Sequence, residues 1–303
     1  MAGFRNVRAF AESAADSGKH WISTYRKAVP SSATVAGHWS DYGYFGGNPI
    51  PNYYASSPLE AATLDPAKGI IVPRMQSGET QWLHRWTVMS AAASATSVAN
   101  ANQALFLLDY LLYYPFVDMD AAGEDQTMTQ TAALPRYTDG VGVQMMVVAQ
   151  SPTVGGGRFT VSYTDSDDAA QVTPSLYCAA AQPAGSLVNA VQGAGGLLPF
   201  VPLNAGVKGV KSVQSVNFSV ANGGLCAVVL VKPLQTLWLR EESRRTTSGT
   251  LESFGDAAEH ESLRTRAGTV EIKDGAFLSI LGRGANGSIA SSVLVGTLET
   301  VWS

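Results

Sequence analysis

Residues 212–231 read Ser-Val-Gln-Ser-Val-Asn-Phe-Ser-Val-Ala-Asn-Gly-Gly-Leu-Cys-Ala-Val-Val-Leu-Val. Two strand-like stretches, Ser212–Val220 and Leu225–Val231, flank Asn222-Gly223-Gly224, and these turn residues tolerate positive φ. The pattern predicts a β-hairpin. Leu225–Val231 is apolar throughout, as is typical of a strand that is covered on both faces.

Strand patterns recur on both sides of this stretch. After the turn at 155–157, Phe159, Val161 and Tyr163 alternate with polar residues, and a period of two predicts a half-buried strand. Further strands are predicted at Gln81–Ser90, Gly142–Gln150, Thr269–Ile272, Ala276–Leu281 and Val293–Trp302. Many short strands between Gly, Asn and Pro turns predict a mainly β protein whose body is a β-sandwich or jelly roll.

The longest apolar run is Leu105–Phe116, which contains Asp109 and Pro115. Its length is below the roughly 20 apolar residues that a membrane helix needs. We read it as a buried strand pair or a short core helix. No signal peptide is visible either, and we expect a soluble protein with no membrane partner.

The N-terminal part of the chain differs from the rest. Phe4, Val7, Phe10 and Ala14 recur at helical spacing, and residues 1 to about 28 are read as an amphipathic helical arm. Ser17-Gly18 breaks the pattern, and Trp21, Ile22 and Tyr25 add a second short apolar stripe. From Pro30 to Pro73, scattered Pro and Gly residues exclude long regular elements. We therefore predict an extended, partly helical arm over residues 1–73 and a body over residues 74–303.

The broken part of this arm is rich in aromatic residues, whereas disordered segments have few. The rings must lie on this subunit or on another one, and the sequence leaves both options open. As a hypothesis, six of them contact other subunits: Trp39, Tyr42, Tyr44, Phe45, Tyr53 and Tyr54.

A second unusual segment covers residues 240–266. Acidic and basic residues alternate along it, with Gly and Ser between them. This pattern predicts an exposed excursion between two strands, and the excursion could pair with the same segment of a symmetry mate.

Composition restricts the function. The 303 residues are 46% hydrophobic, and only 15% are charged, against about 25% in average soluble domains. The exterior is therefore either neutral and polar or covered by neighbouring molecules. The formal net charge of −4 gives no basis for nucleic-acid binding, which needs clustered Lys and Arg.

No motif indicates a catalytic, cofactor or metal site. The four histidines lack zinc-hydrolase spacing, and His38 and His84 are read as packing or hydrogen-bonding residues. Residues 282–287 match G-x-G-x-x-G, but a strand follows them instead of a helix, so we read them as a hairpin loop. Cys178 and Cys226 lie in apolar surroundings and are read as buried thiols.

Acidic residues lie close together at several points of the sequence. Asp165, Asp167 and Asp168 directly follow a predicted strand. They could form a weak Ca²⁺ site, but we favour an ordinary solvated β-turn. Asp118 and Asp120 share one face of an extended chain, which surface exposure explains.

Five segments together resemble a family of tailed-bacteriophage virion proteins. They are Ala36–Asp41, Leu134–Gly140, Ser212–Val216, Leu230–Leu234 and Glu271–Ala276. The resemblance implies a β-sandwich or jelly-roll body with an N-terminal arm, used as a particle subunit.

The implied role is that of a non-enzymatic capsid decoration or cement protein on the outside of the phage head, assembled in the host cytoplasm. Its partners would be the major capsid protein and copies of itself, with a trimer as one arrangement. Two alternatives stay open: a tail or baseplate subunit, and a carbohydrate-binding module or glycosidase carried on the virion. The segment 240–266 has no counterpart in this resemblance.

Overall fold

The structure of the chain is a computed structural model. It describes residues 4, 7–16, 18–30, 37–91, 103–189, 199–239, 241–245, 251–255, 258–261, 270–284 and 293–303. The helices are α1 (Val7–Ala15) and a 3-10 turn (Pro66–Lys68). The strands are β1 (His20–Ala28), β2 (Trp39–Asp41), β3 (Gly46–Asn48), β4 (Ala62–Thr63), β5 (Gln81–Ala91), β6 (Gln103–Asp118), β7 (Asp125–Thr127), β8 (Gln144–Ala149), β9 (Arg158–Asp165), β10 (Ala170–Val172), β11 (Leu176–Tyr177), β12 (Val210–Phe218), β13 (Leu225–Trp238), β14 (Glu241–Arg245), β15 (Leu251–Gly255), β16 (Ala258–Glu261), β17 (Val270–Ile272), β18 (Phe277–Gly284) and β19 (Val293–Trp302).

The strands form antiparallel sheets, so the mainly β prediction is confirmed. Sheet I has the order β16-β5-β19-β1-β3, and β17 also pairs with β5. Sheet II has the order β2-β18-β6-β13-β8, with β4 beside β6. Sheet III has the order β10-β9-β12-β7, with β11 beside β9. None of the described helices has the length and apolarity that a membrane span requires.

Sheet II is the centre of the molecule because its long strands are apolar on both faces. On one face of sheet II, the part around Leu105 and Leu107 shares a core with Trp86 and Leu298 of sheet I. The rest of the same face shares a core with sheet III, where Val228 lies in one cluster with Val161 and Val213. The opposite face of sheet II is covered by the side chains of Trp39, Tyr54 and Leu187.

The predicted hairpin at 212–231 is wrong, although both of its strands exist. β12 pairs with β9 and β7 in sheet III, and β13 pairs with β6 and β8 in sheet II. The intervening turn crosses between two facing sheets. Its Asn222 is fully buried, accepts a 2.8 Å hydrogen bond from the Gly157 amide and donates one of 2.7 Å to the Val220 carbonyl. The bond from Gly157 ties the turn to the loop before β9, and the bond to Val220 closes the turn on itself.

A second hairpin prediction, at residues 282–287, is also wrong. β18 pairs with β2 and β6 in sheet II, whereas β19 pairs with β1 and β5 in sheet I. Residues 285–292 of this connection lie outside the described residues. The chain passes from sheet to sheet here too, because each strand finds its partner far away in sequence.

The prediction for residues 1–28 is only partly right. Helix α1 ends at Ala15, and the following apolar residues form β1. In β1, Ser23, Tyr25 and Lys27 are buried while the residues between them are exposed. This period of two is the burial pattern of a strand, and sheet I imposes it because all nine residues of β1 pair with β19.

The predicted arm is not a separate body. β1 and β3 belong to sheet I, and β2 and β4 belong to sheet II. The Pro-rich and Gly-rich stretch therefore crosses between the sheets of its own subunit, and the boundary predicted at residue 73 does not divide the molecule. Pro and Gly limit these strands to two or three residues each.

The structure decides the predictions for residues 105–116 and for the strand after residue 157. The run Leu105–Phe116 is neither a strand pair nor a helix, since it lies within β6, a single strand of 16 residues. The period-two strand after 155–157 is confirmed as β9, whose residues alternate between buried and partly exposed.

The segment 240–266 is described only in part. β14 pairs with β15, and β16 returns to sheet I beside β5. The other residues of this segment lie outside the part of the chain that the structure describes, and so do all of its side chains. The proposed pairing with a symmetry mate therefore stays a prediction.

Candidate interaction surface

One edge of sheet I is open along most of β1. On one side, β19 pairs with β1 from His20 to Ala28. On the other side, β3 pairs only with Arg26, Lys27 and Ala28. Among the residues that the structure describes, the first half of β1 therefore has a strand neighbour on one side alone.

The register shows which backbone groups face this opening. The Trp302 amide donates to the Lys19 carbonyl at 3.2 Å, so the odd-numbered residues of β1 bond to β19. The backbone amides and carbonyls of the even-numbered residues point away from β19, and on that side Arg26 pairs with Asn48 of β3. The amide and carbonyl groups of Ile22 and Thr24 point to the open side, and they have no hydrogen-bond partner in the described part of the chain.

A groove of about 230 Å³ runs along this edge. Its walls are residues 21–24 of β1, residues 48–49 and residues 69–71. The Ser23 hydroxyl donates to the Ile71 carbonyl, and the Lys27 ammonium donates to the Pro49 carbonyl at 2.8 Å. Buried side chains of β1 therefore hold both other walls of the groove: Ser23 holds residues 69–71, and Lys27 holds residues 48–49.

Large apolar side chains are exposed around the groove. We call Trp21, Ile22, Ile50 and Ile71 the β1-edge surface, and their exposed fractions are 43%, 53%, 58% and 56%. Ile50 directly follows Pro49 of the groove wall. Trp21, Ile22 and Ile71 line the same groove, and exposed apolar groups that lie together are typical of sites that bind another molecule. An open strand edge beside them adds directional hydrogen-bonding groups.

Four of the six predicted contact residues are in the wrong place for that role. Trp39, Tyr42, Phe45 and Tyr54 are at most 2% exposed, and they lie in the cores around sheet II of their own subunit. A ring that is buried in its own chain cannot contact a second molecule. The hypothesis is therefore corrected for these four residues.

The other two predicted contact residues, Tyr44 and Tyr53, are partly exposed. The Tyr53 ring is 54% exposed and lies 5.0 Å from the Tyr44 ring. The half-buried Tyr44 donates a 3.0 Å hydrogen bond to the Gln150 carbonyl. No observation on the described residues tests whether Tyr44 and Tyr53 contact another subunit, and that part stays a prediction.

A buried carboxylate lies where the arm folds inward, and two tyrosines satisfy it. Asp41 is fully buried and accepts hydrogen bonds from the Tyr54 hydroxyl, from the Tyr110 hydroxyl at 2.7 Å and from the Gly43 amide at 2.8 Å. Burial raises the pKa of Asp41, and the hydrogen bonds from the two tyrosines partly oppose that shift. The tyrosines of this region therefore supply donors to an internal acid.

Two of the five segments behind the family resemblance meet in the structure. Arg136 binds Asp109 of β6, and the Lys232 ammonium lies 5.3 Å from the centre of the Tyr137 ring. Burial raises the pKa of Tyr137, the charge of Asp109 adds to the shift, and the charge of Arg136 opposes it. The segment Leu134–Gly140 therefore contacts both β6 and β13.

The acidic run after β9 forms a hydrogen-bonded turn. The Asp165 carboxylate accepts bonds of 2.9 Å from the amides of Asp167 and Ala169 and from the Gln171 side chain. The Ala169 amide is the main reason why the pKa of Asp165 is lowered. Lys211 pairs with Asp168 at 2.6 Å. The described residues contain no cluster of three potential metal-ligating side chains.

The cysteines and one histidine take the positions expected from the sequence. Cys178 and Cys226 are free, buried thiols, and burial raises the pKa of Cys178 to about 11. His84 packs against Phe10 of α1 and against His20, with ring centres 5.4 Å and 5.9 Å apart. The prediction that His84 is a packing residue is confirmed.

A scan against protein-family models, a search of curated proteins and a search of solved structures each find no significant match.

Sequence reasoning missed all four residues of the β1-edge surface. The neighbouring pairs Trp21-Ile22 and Ile70-Ile71 carried a signal. Adjacent residues of an extended chain point to opposite faces, so two adjacent apolar residues cannot both face the same core. Reading Trp21, Ile22 and Tyr25 as a second helical stripe hid this signal.

Proposed function

We propose that this chain is a non-enzymatic structural subunit of a tailed-phage particle, and specifically a capsid decoration protein that binds the outside of the head. The observation that carries the proposal is the β1-edge surface. It combines exposed Trp and Ile side chains with an unpaired strand edge on a rigid antiparallel scaffold. The jelly-roll character of the scaffold and its location on the virion belong to the same proposal.

The physical argument concerns what an isolated subunit leaves exposed. Burial of apolar surface contributes roughly 25 cal/mol for each Å² that is removed from water. An open strand edge pairs readily with another strand, and proteins usually cover or charge such edges. In the described part of β1, the open segment from His20 to Thr24 carries no acidic side chain. Assembly into a particle would cover the exposed apolar side chains and the open edge of β1 at once.

The composition supports this proposal. With 15% charged residues, the chain has fewer charges than the roughly 25% of average soluble domains. A subunit that is covered by neighbours in a particle needs less charged surface. The proposed partners are the major capsid protein and other copies of this chain.

Co-sedimentation with phage heads that lack this chain tests the proposal. We expect the wild-type protein to bind, and the double variant Trp21→Ala with Ile71→Ala to lose most of its binding. The matched control is Val154→Ala with Val172→Ala, because these side chains are 80% and 53% exposed elsewhere on the surface. Circular dichroism checks that each variant is folded. A wild-type protein that does not bind heads would refute the proposed role.

The alternatives from the sequence are separated by where the chain is found. Electron microscopy of particles that carry a labelled copy of this chain would place the label on the head if the proposal is right. Label on the tube or baseplate would favour the tail alternative. Binding of polysaccharide by the purified protein would favour the carbohydrate-binding alternative.

A further inference from the structure

We propose that β14 pairs antiparallel with β14 of a second copy of this chain, with a two-fold axis at Ser243. The contact lies on a different strand from the β1-edge surface. The inference goes beyond the proposed function, because it holds whether or not the chain binds phage heads. Its test uses the purified protein alone, so the inference and the proposed function can fail separately.

β14 and β15 form a two-stranded sheet of their own. Residues Glu241–Arg245 pair with Leu251–Gly255, and Ser243 lies opposite Ser253. Cα atoms of β15 lie within 8 Å of Cα atoms of β5. In the part of the chain that the structure describes, β14 has β15 as its one strand neighbour. The other edge of β14 is therefore open among these residues.

A second copy of β14 on this edge would complete a larger sheet. A two-stranded ladder by itself is marginally stable in water, whereas three or more strands support one another. Pairing of the two edges produces a four-stranded sheet in the order β15-β14-β14-β15. Both copies contribute the same edge, so the contact is isologous and closes as a dimer in place of an open filament.

The order of charges along β14 argues that the partner is a second copy. The strand reads Glu241-Glu242-Ser243-Arg244-Arg245. With Ser243 opposite Ser243 of the second copy, Glu241 lies opposite Arg245 and Glu242 lies opposite Arg244. The two-fold axis repeats each combination, so all charged positions of the strand meet the opposite charge. Opposite charges directly across an antiparallel pair are favourable, and like charges are unfavourable.

Neighbouring registers lack this complementarity. Opposed residues of an antiparallel pair direct their amides and carbonyls either both toward the partner strand or both away from it. The axis therefore lies at a residue, and its neighbouring positions are Glu242 and Arg244. An axis at Glu242 places two glutamates opposite each other, and an axis at Arg244 places two arginines opposite each other. The charges thus select the register centred on Ser243.

A charge-reversal cycle tests the pairing. Glu241→Arg and Arg245→Glu each place two like-charge pairs in the sheet, and either variant alone should weaken the dimer about tenfold. Within the hairpin these positions lie opposite Gly255 and Leu251, so neither variant breaks a charge pair there. The double variant Glu241→Arg with Arg245→Glu should dimerise like wild type, because opposite charges meet again. Analytical ultracentrifugation measures the dissociation constant of each dimer.

Mixing the two single variants gives an independent test of the same contact. An equimolar mixture should restore the dimer as a heterodimer, because the reversed charge at position 241 of one chain meets the reversed charge at position 245 of the other. Native mass spectrometry distinguishes the mixed dimer when one variant is isotope-labelled. Circular dichroism checks that every variant is folded.

A disulfide at the axis tests the register. Directly opposed residues have Cα atoms about 4.5–5.5 Å apart, which is within disulfide reach. Ser243→Cys should therefore link two chains in the presence of oxidised glutathione. The matched control is Ser253→Cys, because three strand spacings separate the two copies of residue 253 by about 14 Å. The native Cys178 and Cys226 are buried in both variants.

Four results would each overturn the inference. They are a wild-type protein that stays monomeric at its highest soluble concentration, an Arg245→Glu variant that dimerises as well as wild type, a mixture without rescue, and equally fast linking through Ser243→Cys and Ser253→Cys. If a single variant does not fold, the double variant and the disulfide experiment decide. A dimer that pairs through β14 but does not bind heads would refute the proposed function alone.

Discussion

Arg136 binds Asp109 through two parallel hydrogen bonds, of 2.9 Å from Nε to Oδ2 and 2.7 Å from Nη2 to Oδ1. The carboxylate is fully buried, and the arginine side chain is only 12% exposed. The Phe277 amide donates a further bond of 3.1 Å to the same carboxylate. Burial raises the pKa of Asp109, and the hydrogen bond and charge of Arg136 oppose that shift. The pair joins the loop before β8 to the middle of β6.

Replacing one partner of this pair should be strongly destabilising. Arg136→Met leaves a buried carboxylate without its counter-charge, and we expect a loss of about 3–5 kcal/mol in the free energy of unfolding. The double variant Arg136→Met with Asp109→Leu should recover most of that loss, because no charge then stays buried. Urea denaturation of the three proteins measures both effects. Equal stability of Arg136→Met and wild type would show that the pair contributes nothing.

Lys27 should make stability depend on pH. Burial lowers its pKa from 10.5 to about 8, and the charge of Asp41 partly opposes the shift. Between these two pKa values the unfolded chain binds more protons than the folded chain, so the free energy of unfolding rises with pH in this window. Lys27→Met lacks this contribution.

The measurement for Lys27 is the difference in the free energy of unfolding between wild type and Lys27→Met, taken at several pH values from 7 to 10.5. The buried tyrosines titrate in both proteins and cancel in the difference. We expect the difference to shift in favour of wild type as the pH rises above about 8. A difference that does not change with pH would contradict the lowered pKa.

The crossing turn after β12 should not tolerate a side chain at Gly224. A Cβ there would lie 2.6 Å from the Ser151 Oγ and 2.7 Å from the Pro152 carbonyl oxygen, and φ is 86°. The left-handed conformation alone costs an alanine roughly 1–2 kcal/mol. The clash adds about 1–3 kcal/mol.

Gly206 is the matched control for Gly224. Its φ is 88°, but a Cβ there meets nothing within 4 Å. Gly206→Ala should therefore show the conformational cost without the clash. Thermal unfolding of both variants isolates the effect of close packing, and equal losses would mean that the neighbours of Gly224 yield easily.

Tyr25 links two buried groups in sheet I. Its hydroxyl accepts a 2.9 Å hydrogen bond from the Trp86 indole nitrogen and donates one of 2.8 Å to the Thr87 carbonyl. Tyr25→Phe leaves the indole donor without its acceptor, and we expect a loss of about 1–3 kcal/mol in the free energy of unfolding. Tyr53→Phe, at a half-exposed ring, should have almost no effect. If both variants unfold alike in urea, the buried hydroxyl contributes no net stability.

The strands were the most predictable part of this protein. The alternation at Phe159, Val161 and Tyr163 appears unchanged in the structure, and Val293–Trp302 matches β19 at both ends. Such patterns are local, because the two faces of one strand meet different environments. The N-terminal segment was harder, since Trp21, Ile22 and Tyr25 fit a helical stripe as well as a strand.

The candidate surface could not be predicted from composition and aromatic content. Trp39 and Tyr54 suggested a contact region because large rings need a surface to lie on. Only the fold shows that this surface belongs to the same subunit, on the face of sheet II that points away from sheets I and III. Nothing in the sequence places Ile71 beside β1, and it lies there because residues 69–71 and 48–49, which are far apart in the chain, line the same groove.

The amino-acid sequence by itself determined that this is a mainly β protein, where most of its strands lie, and that its two cysteines are buried. These properties depend on residues that are near one another in the chain. The tertiary structure alone decided which sheet each strand joins, which aromatic rings face inward and which strand edge stays open. These depend on pairing between distant segments, as when β1 pairs with β19 at the other end of the chain, and no local pattern encodes the choice of partner.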